Sequence, residues 1–210
     1  MPDLTPDELL STTRAVRRRL DLERPVDLSV IEDCIRLAVQ APTGGNKQDW
    51  RWIVITDPAV RSGLASLYRA GALDAFGQAR DAAANEGARK AYDGAIHLAT
   101  ILEQVPVIVI PCALGRVDGA NNHRAAGYYG SVIPAVWSFQ LALRSRGLGS
   151  VFTTAHLRDE KGVAELLGVP EDVSQIAMLP VAYTIGQDFK VAERLPVAEV
   201  TYLNSWGNPW

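Results

Sequence analysis

The residues best suited to chemistry are a group of arginines near the start of the chain. Four arginines lie in the six residues from Arg14 to Arg19, in a sequence whose formal net charge is −3. Guanidinium forks match phosphate oxygens, so the run indicates an anion site. Composition alone favours a simpler alternative, a solvated basic run paired with the acidic residues after it. In an extended segment, Arg17 and Arg19 would point to one face and Arg14 and Arg18 to the other.

A glycine-containing loop between a predicted helix and a predicted strand offers a second binding element. It reads Pro-Thr-Gly-Gly-Asn over residues 42–46 and leads into Trp50. Its glycines permit close backbone approach to a flat or charged ligand, while Thr43 and Asn46 offer hydrogen bonds. The loop is not a Walker motif, because no Gly-Lys-Ser/Thr opens a helix. A plain helix-to-strand turn is the alternative.

Two further elements complete the set of polar motifs. Residues 147–154 read Gly-Leu-Gly-Ser-Val-Phe-Thr-Thr, a short strand that ends in hydroxyl side chains. Residues 190–196 read Lys-Val-Ala-Glu-Arg-Leu-Pro, a basic element near the end of the chain. His97, His123 and His156 stand apart without metal-ligand spacing, so we expect no metal site and read them as ordinary surface or capping histidines.

The elements that must position these motifs alternate irregularly. A capping box at Thr5 and Glu8 begins a first helix. Further helices are predicted at 28–40, from Asp57 to about residue 70, twice within 71–104 with a mobile joint, at 131–146 and at 159–167. Strands are predicted at 50–56, 105–111, 150–154 and 175–185, and residues 115–127 read as a loop. Uneven runs of helix between strands favour an α+β fold.

Composition bounds the remaining possibilities. The chain has 210 residues, of which 48% are hydrophobic and 21% charged, which fits one globular domain over 1–210 and excludes a disordered chain. A sequence pI of about 5.6 disfavours a nucleic-acid partner. Cys34 and Cys112 lie in apolar surroundings and are expected to be buried small hydrophobes. No secretory signal or bilayer-spanning run is visible, so we expect a cytoplasmic protein without a membrane partner.

The order of the motifs resembles that of the flavin-dependent nitroreductase family. An arginine segment, a Pro-Thr-Gly-Gly-Asn loop before a Trp strand, a Gly-Leu-Gly-Ser turn and a late Arg-Leu-Pro follow one another between about Thr12 and Arg194. The resemblance is closest to the small single-domain members. It implies a central, mostly antiparallel sheet flanked by helices, and an intertwined homodimer with FMN in two pockets at the subunit interface.

The resemblance also implies which residues bind FMN. Arg14 would approach the phosphate, as would Arg194. Arg17 would lie near the N1/O2 edge of the ring, where a cation stabilises negative charge on the reduced flavin. The implied cofactor residues are Thr13, Arg14, Ala15, Val16, Arg17, Pro42, Thr43, Gly44, Asn46, Phe152, Thr153, Thr154 and Arg194, with the 42–46 loop contacting the flavin of the other subunit. No side chain is expected to be catalytic, because flavin N5 carries the chemistry.

Some positions depart from the family pattern. Thr13 replaces a frequent arginine, which weakens one phosphate contact unless Arg18 substitutes for it. Ala15 replaces a common serine, and Asp49 replaces the proline often found before the tryptophan. Ala192 stands where some members have a phosphate-binding lysine. None of these changes removes the predicted site.

The activity that the resemblance implies is oxidoreduction with NAD(P)H as electron donor. The acceptor would be a nitroaromatic, a quinone or a similar electron-poor small molecule, reduced in a ping-pong sequence. Residues 71–95 and 115–130 would form a lid, with Tyr128, Tyr129 and Trp137 as aromatic walls of the substrate pocket, although packing explains these aromatics equally well. Residues 195–210, which carry Trp206 and Trp210, are expected to wrap the partner subunit.

Three other functions stay open from the sequence. Reductive dehalogenation or flavin fragmentation could run on the same scaffold, but no amino-acid-recognising Glu-Tyr-Lys lid is visible. A flavin-binding storage or sensor protein without turnover is a second alternative. A nucleic-acid module built on residues 14–19 is a third, disfavoured by the acidic pI.

Overall fold

The computed structural model describes residues 3–210, and its centre is an antiparallel sheet. The strands are β1 (Trp50–Ile55), β2 (Val107–Leu114), β3 (Leu148–Ser150), β4 (Val173–Gln175) and β5 (Leu179–Tyr183). The spatial order is β1-β2-β5-β3, and β4 pairs with the end of β2 beyond β5. Every pairing between these strands is antiparallel.

Helices cover the sheet on both sides. They are α1 (Pro6–Thr12), α2 (Leu28–Ala38), α3 (Pro58–Asp81), α4 (Glu86–Ile101), α5 (Asn122–Gly130), α6 (Ile133–Ser145), α7 (Glu160–Leu167) and the short α8 (Val197–Val200). The predicted capping box is present, because Glu8 N donates to Thr5 Oγ1 and Thr5 N donates to Glu8 Oε2. The predicted α+β class is confirmed.

The central strand β2 divides the interior into two hydrophobic clusters. Ile108, Ile110 and Cys112 belong to one cluster, with α3 and α4. Val107 and Val109 face the other cluster, with α2 and α6. Successive residues of a strand point to opposite faces, so a strand buried on both faces reads as a continuous apolar run. Cys34 and Cys112 are both buried free thiols, as expected.

Several predicted boundaries were wrong. The helix that begins after Asp57 continues to Asp81, so the joint between the two helices predicted in 71–104 lies at 82–85. The loop predicted over 115–127 becomes helical from Asn122, since Asn121 caps α5 by accepting from Arg124 N. The strand predicted over 175–185 is broken into β4 and β5. The strand predicted over 150–154 lies earlier, at Leu148–Ser150.

Candidate functional site

The arginine segment is fixed to the edge of the sheet beside β3. Val16 N donates a 2.9 Å hydrogen bond to Ser150 O, and Ala15 forms a parallel bridge with Ser150. The arginine segment can lie this close to β3 because residue 149 is glycine. A Cβ there would stand 2.9 Å from Val16 Cβ and 2.6 Å from Thr184 Cγ2. The packing therefore brings residues 13–17 next to the 152–154 segment that follows β3.

The predicted alternation of the arginines along an extended segment was wrong. Residues 17–19 form a bend and turn between the bridges at Ala15 and Leu20, so the segment is not continuously extended. Arg19 leaves toward the chain after β5, where Nη2 lies 2.7 Å from Asp188 Oδ1 and the guanidinium stacks over Phe189. Arg17 and Arg19 thus have different surroundings.

Arg17 runs inward along α4. A Cβ on Gly94 would stand 3.2 Å from Arg17 Cδ, so the glycine leaves the groove through which the side chain passes. Burial lowers the pKa of Arg17, and the nearby Tyr68 acts in the opposite direction. Within residues 3–210, no carboxylate or other acceptor forms a hydrogen bond or ion pair with this guanidinium. Its donors are consequently available to a ligand.

Two cavities meet this region. One of about 230 Å³ is lined by Arg17 and Arg18 together with Ala15, Val16, Arg19, Lys90, Gly94 and Phe189. Another of about 500 Å³ is lined by the 152–154 segment together with Phe76, Ala155, Leu157 and Arg158. Tyr68 lines neither cavity, but its Oη lies 3.0 Å from Thr153 Oγ1, and the charge of Arg17 acts to lower the pKa of its phenol.

The two arginines expected at the phosphate are both near the protein surface. Arg14 Nη1 donates to Lys190 O at 3.1 Å, which brings the first basic element to the late one. Arg194 Nη1 donates to its own neighbour's carbonyl, Glu193 O. Thr13 Oγ1 donates to Leu9 O, so its hydroxyl proton is used within the helix end. The structure therefore joins Arg14 to the 190–194 element, whereas Thr13 serves as a local cap.

The 42–46 loop has a strained backbone. Gly45, Asn46 and Gln48 all have positive φ, at 61°, 51° and 54°. Such a conformation is uncommon for a residue like glutamine and persists only where its surroundings fix it. Gln48 N donates to Thr43 Oγ1, and Gly44 N donates to Ser131 Oγ at 2.9 Å. The sequence did not predict that Gln48 and Ser131 form the hydrogen bonds that hold this loop.

This loop belongs to a different cavity from the arginine segment. A cavity of about 630 Å³ lies between the loop, the end of β2 and α5, and Thr43 and Gly44 line it. None of residues 13–17 or 152–154 lines it. Within one chain the predicted cofactor residues thus form two separate groups, one around β3 and one around the loop.

The three aromatics predicted for the substrate pocket do not line one cavity together. The Tyr128 hydroxyl lies 2.7 Å from Gly115 O and 3.1 Å from Ala113 O, so its proton serves local structure, although the residue lines the 630 Å³ cavity. Tyr129 and Trp137 are about two-fifths exposed and do not line that cavity. Their role in substrate binding stays a prediction.

His156 was not recognised from the sequence as a buried residue. It is only 1% exposed, and neither ring nitrogen has a hydrogen-bond partner in the described part of the chain. Burial lowers its pKa to about 4, so the ring is neutral at pH 7. The expectation of a surface or capping histidine was wrong at this position.

Fold and site together define a small α+β protein in which Arg17, without an acceptor among residues 3–210, lines a cleft beside a central antiparallel sheet. In residues 3–210 there is no group of three or more His, Cys, Asp or Glu placed to hold a metal ion. The helices in that range also include none long and apolar enough to cross a bilayer.

Comparison with known proteins identifies the family. The sequence pattern of the nitroreductase family matches residues 10–183, which is most of the chain. The chain therefore belongs to the nitroreductase family, as the resemblance predicted.

The relatives span more than one activity. Iodotyrosine deiodinase from Drosophila melanogaster is 27% identical over 180 residues, which cover 84% of this chain and 61% of the fly protein. A structure of oxidised iodotyrosine deiodinase bound to FMN and 3-iodo-L-tyrosine superposes with a TM-score of 0.70 at 21% identity, over 90% of this chain and 94% of that one. A structure of the FMN- and NADPH-dependent nitroreductase NfnB of Sphigopyxis sp. strain HMH superposes with a TM-score of 0.69 at 21% identity. The match covers 97% of this chain and 100% of that one. These structures share the fold.

Proposed function

We propose that this protein is an FMN-dependent oxidoreductase that takes electrons from NAD(P)H. The observation that carries the proposal is the half-buried Arg17, which lines a cavity with Arg18 and Lys90 and has no acceptor among residues 3–210. A partly buried guanidinium without an acceptor favours the binding of an anionic or electron-rich ligand. A family that includes FMN-binding proteins supplies the ligand.

The residues present fit FMN. Arg17, Arg18 and Lys90 line one small cavity, and this concentration of cations favours an anionic ligand. Arg14 and the 190–194 element lie together at the surface, where they would hold the phosphate. The neighbouring cavity beside Phe152–Thr154 offers room and hydroxyl groups for the ring. When bound, FMN supplies the hydride chemistry, and Arg17 stabilises negative charge on the reduced ring.

We propose further that the site is completed by a second copy of the chain. The 42–46 loop is exposed and lies apart from the arginine segment, so contact with the same flavin requires a partner subunit. The C-terminal tail, residues 195–210, also supports a partner subunit, because Trp206 and Trp210 are 90% and 78% exposed. Large apolar side chains so exposed mark an interaction surface. The tail would act as the arm that covers the partner.

The acceptors we propose are nitroaromatics, quinones and similar electron-poor molecules. Because donor and acceptor would use the same open face of the flavin in turn, the kinetics would be ping-pong. The lid proposed for 71–95 and 115–130 would consist largely of helices, since these ranges contain parts of α3, α4 and α5.

Reductive dehalogenation is the second candidate function. It is favoured by the similarity to iodotyrosine deiodinase, which extends over 84% of this chain. No Glu-Tyr-Lys lid that could hold an amino-acid substrate is recognisable in the sequence, and for this reason it ranks second.

One experiment separates these functions. The FMN-loaded protein is titrated anaerobically with NADH and with NADPH while flavin absorbance is followed, and the reduced protein is then offered nitrobenzoate, a benzoquinone and 3-iodotyrosine. Our proposal predicts bleaching by a nucleotide and rapid reoxidation by the first two acceptors. Reoxidation by 3-iodotyrosine alone would favour the dehalogenase. Bound flavin that neither nucleotide reduces would favour storage or sensing.

A further inference from the structure

Tyr68 is a buried phenol that the predicted site does not include. It lies in α3, 85 positions before Thr153 in sequence, and it is 1% exposed. Its ring packs in the hydrophobic cluster on the α3 side of the sheet, with Phe76 at a centroid distance of 6.2 Å. Its Oη has one hydrogen-bond partner among the residues described, Thr153 Oγ1 at 3.0 Å. A buried polar atom with a single partner outside its own helix constrains that partner.

The direction of this hydrogen bond follows from counting donors and acceptors. A phenol and a threonine hydroxyl each carry one proton. If Thr153 were the donor, the Tyr68 proton would be buried with no acceptor, at a cost of about 1–3 kcal/mol. If Tyr68 is the donor, no proton is left unpaired in the core. Tyr68 therefore donates to Thr153.

The consequence for Thr153 is that its own proton remains free. Thr153 Oγ1 also lies 3.4 Å from Ala155 N, a long contact in which it can only accept. With both lone pairs directed to Tyr68 and Ala155, the remaining direction is that of the hydroxyl proton. Thr153 lines the 500 Å³ cavity, so this proton is the group that Thr153 can offer to an acceptor atom of a ligand bound there.

We propose that Tyr68 is a positioning residue that holds the Thr153 hydroxyl as a hydrogen-bond donor to the bound flavin. The inference rests on the proposed function, since it takes FMN to be the ligand. The surroundings of Tyr68 support it. Burial raises the pKa of the phenol, which outweighs the opposite effects of Thr153 and Arg17, so the phenol keeps its proton over the neutral range and remains a donor.

The test compares Tyr68→Phe with Thr153→Val and with the double variant. Tyr68→Phe removes only the hydroxyl and keeps the ring in the core. We expect it to weaken FMN affinity about five- to tenfold, the effect of one net hydrogen bond, and to shift the flavin reduction potential in the same direction as Thr153→Val. In the Thr153→Val background, Tyr68→Phe should have no further effect on affinity or potential.

Controls separate this role from a general effect on folding. Thr153→Ser keeps the hydroxyl and should retain the wild-type potential as long as Tyr68 is present. Tyr183→Phe is a matched phenol deletion in β5, where the ring contacts Arg24 instead, and it should change neither property. Thermal unfolding of each apoprotein reports any loss of stability separately from FMN binding.

Two kinds of outcome would overturn the inference, and only one of them would also overturn the proposed function. If the wild-type protein binds FMN and Tyr68→Phe has the same affinity and potential, the role of Tyr68 is wrong while the proposed function stands. Additive effects of the Tyr68 and Thr153 changes would have the same meaning. If the wild-type protein binds no FMN, both the proposed function and this inference fail.

Discussion

The backbone amide of Val16 donates a 2.9 Å hydrogen bond to the carbonyl of Ser150, and this bond ties the arginine segment to the edge of the sheet. The contact depends on Gly149, the neighbour of Ser150, because a side chain there would overlap Val16 and Thr184. A single small residue therefore determines whether Arg14 and Arg17 lie beside the 152–154 segment.

Gly149→Ala should displace the arginine segment. The added methyl group would meet Thr184 Cγ2 at 2.6 Å, and overpacking of this kind costs about 1–3 kcal/mol. We expect a lower melting temperature and loss of FMN retention on gel filtration. Gly77→Ala in α3 is the control, because nothing lies within 4 Å of its added Cβ. If Gly149→Ala retains FMN as the wild type does, the contact does not organise the site.

Gly94→Ala should affect the cofactor without destabilising the protein. Alanine favours a helix over glycine by up to about 1 kcal/mol, but its Cβ would press on Arg17 Cδ at 3.2 Å. The expected result is an unchanged or higher melting temperature together with a lower reduction potential of the bound flavin. A parallel fall in both properties would mean that the crowding acts on the fold and not on Arg17.

Arg14→Ala and Arg17→Ala should separate the two roles of the arginine segment. Losing a charge-assisted contact to phosphate should weaken FMN affinity about 10- to 100-fold in Arg14→Ala. Arg17→Ala should leave FMN bound but lower its reduction potential by about 20–60 mV, equivalent to about 1–3 kcal/mol for two electrons. Equilibrium dialysis and a dye-coupled titration measure these effects. Wild-type values for both variants would refute the assignment.

Unfolding stability should fall between pH 6.5 and 4 because of His156. Its pKa is lowered from 6.5 to about 4 in the folded protein, so below pH 6.5 the unfolded chain binds a proton that the folded chain does not. Stability is complete above pH 6.5 and declines by up to about 3 kcal/mol near pH 4. Urea unfolding of His156→Leu should lack this component, while the exposed His123→Leu should retain it. Equal slopes in all three proteins would contradict the prediction.

Mixed dimers should show whether the 42–46 loop acts across the interface. One chain carries Arg14→Ala with Arg17→Ala, and the other carries Thr43→Ala with Asn46→Ala. If the loop contributes to the partner's site, each mixed dimer has one intact site and one doubly altered site, so mixing two inactive proteins restores FMN binding to half of the sites in the mixed dimers. If segment and loop serve the same site within a chain, every site in the mixture stays defective.

Local signals in the sequence predicted much of the framework but not the interior of the site. The capping box at Thr5 and the apolar run of β2 were readable because each depends on neighbouring residues. The cap at Asn121 was equally local and could have predicted α5. The full length of α3 could not be read from its glycines, because Gly71 is packed against Arg158 by the tertiary fold.

The site residues found only in the structure depend on contacts between distant parts of the chain. Tyr68 reads as an ordinary core aromatic until α3 places it against Thr153. Arg17 and Arg19 are separated because each contacts a different distant part of the chain. Arg17 lies against Gly94, and Arg19 forms an ion pair with Asp188. Family resemblance identified the arginine segment, but the packing shows that Arg14 and Arg19 have partners, whereas Arg17 and Arg18 have none among residues 3–210.

The most direct test of the central claim is sedimentation velocity of the FMN-loaded protein, recorded at both protein and flavin absorbance. The account predicts that flavin sediments with a dimer at one FMN per chain. A monomer that sediments without flavin would contradict it.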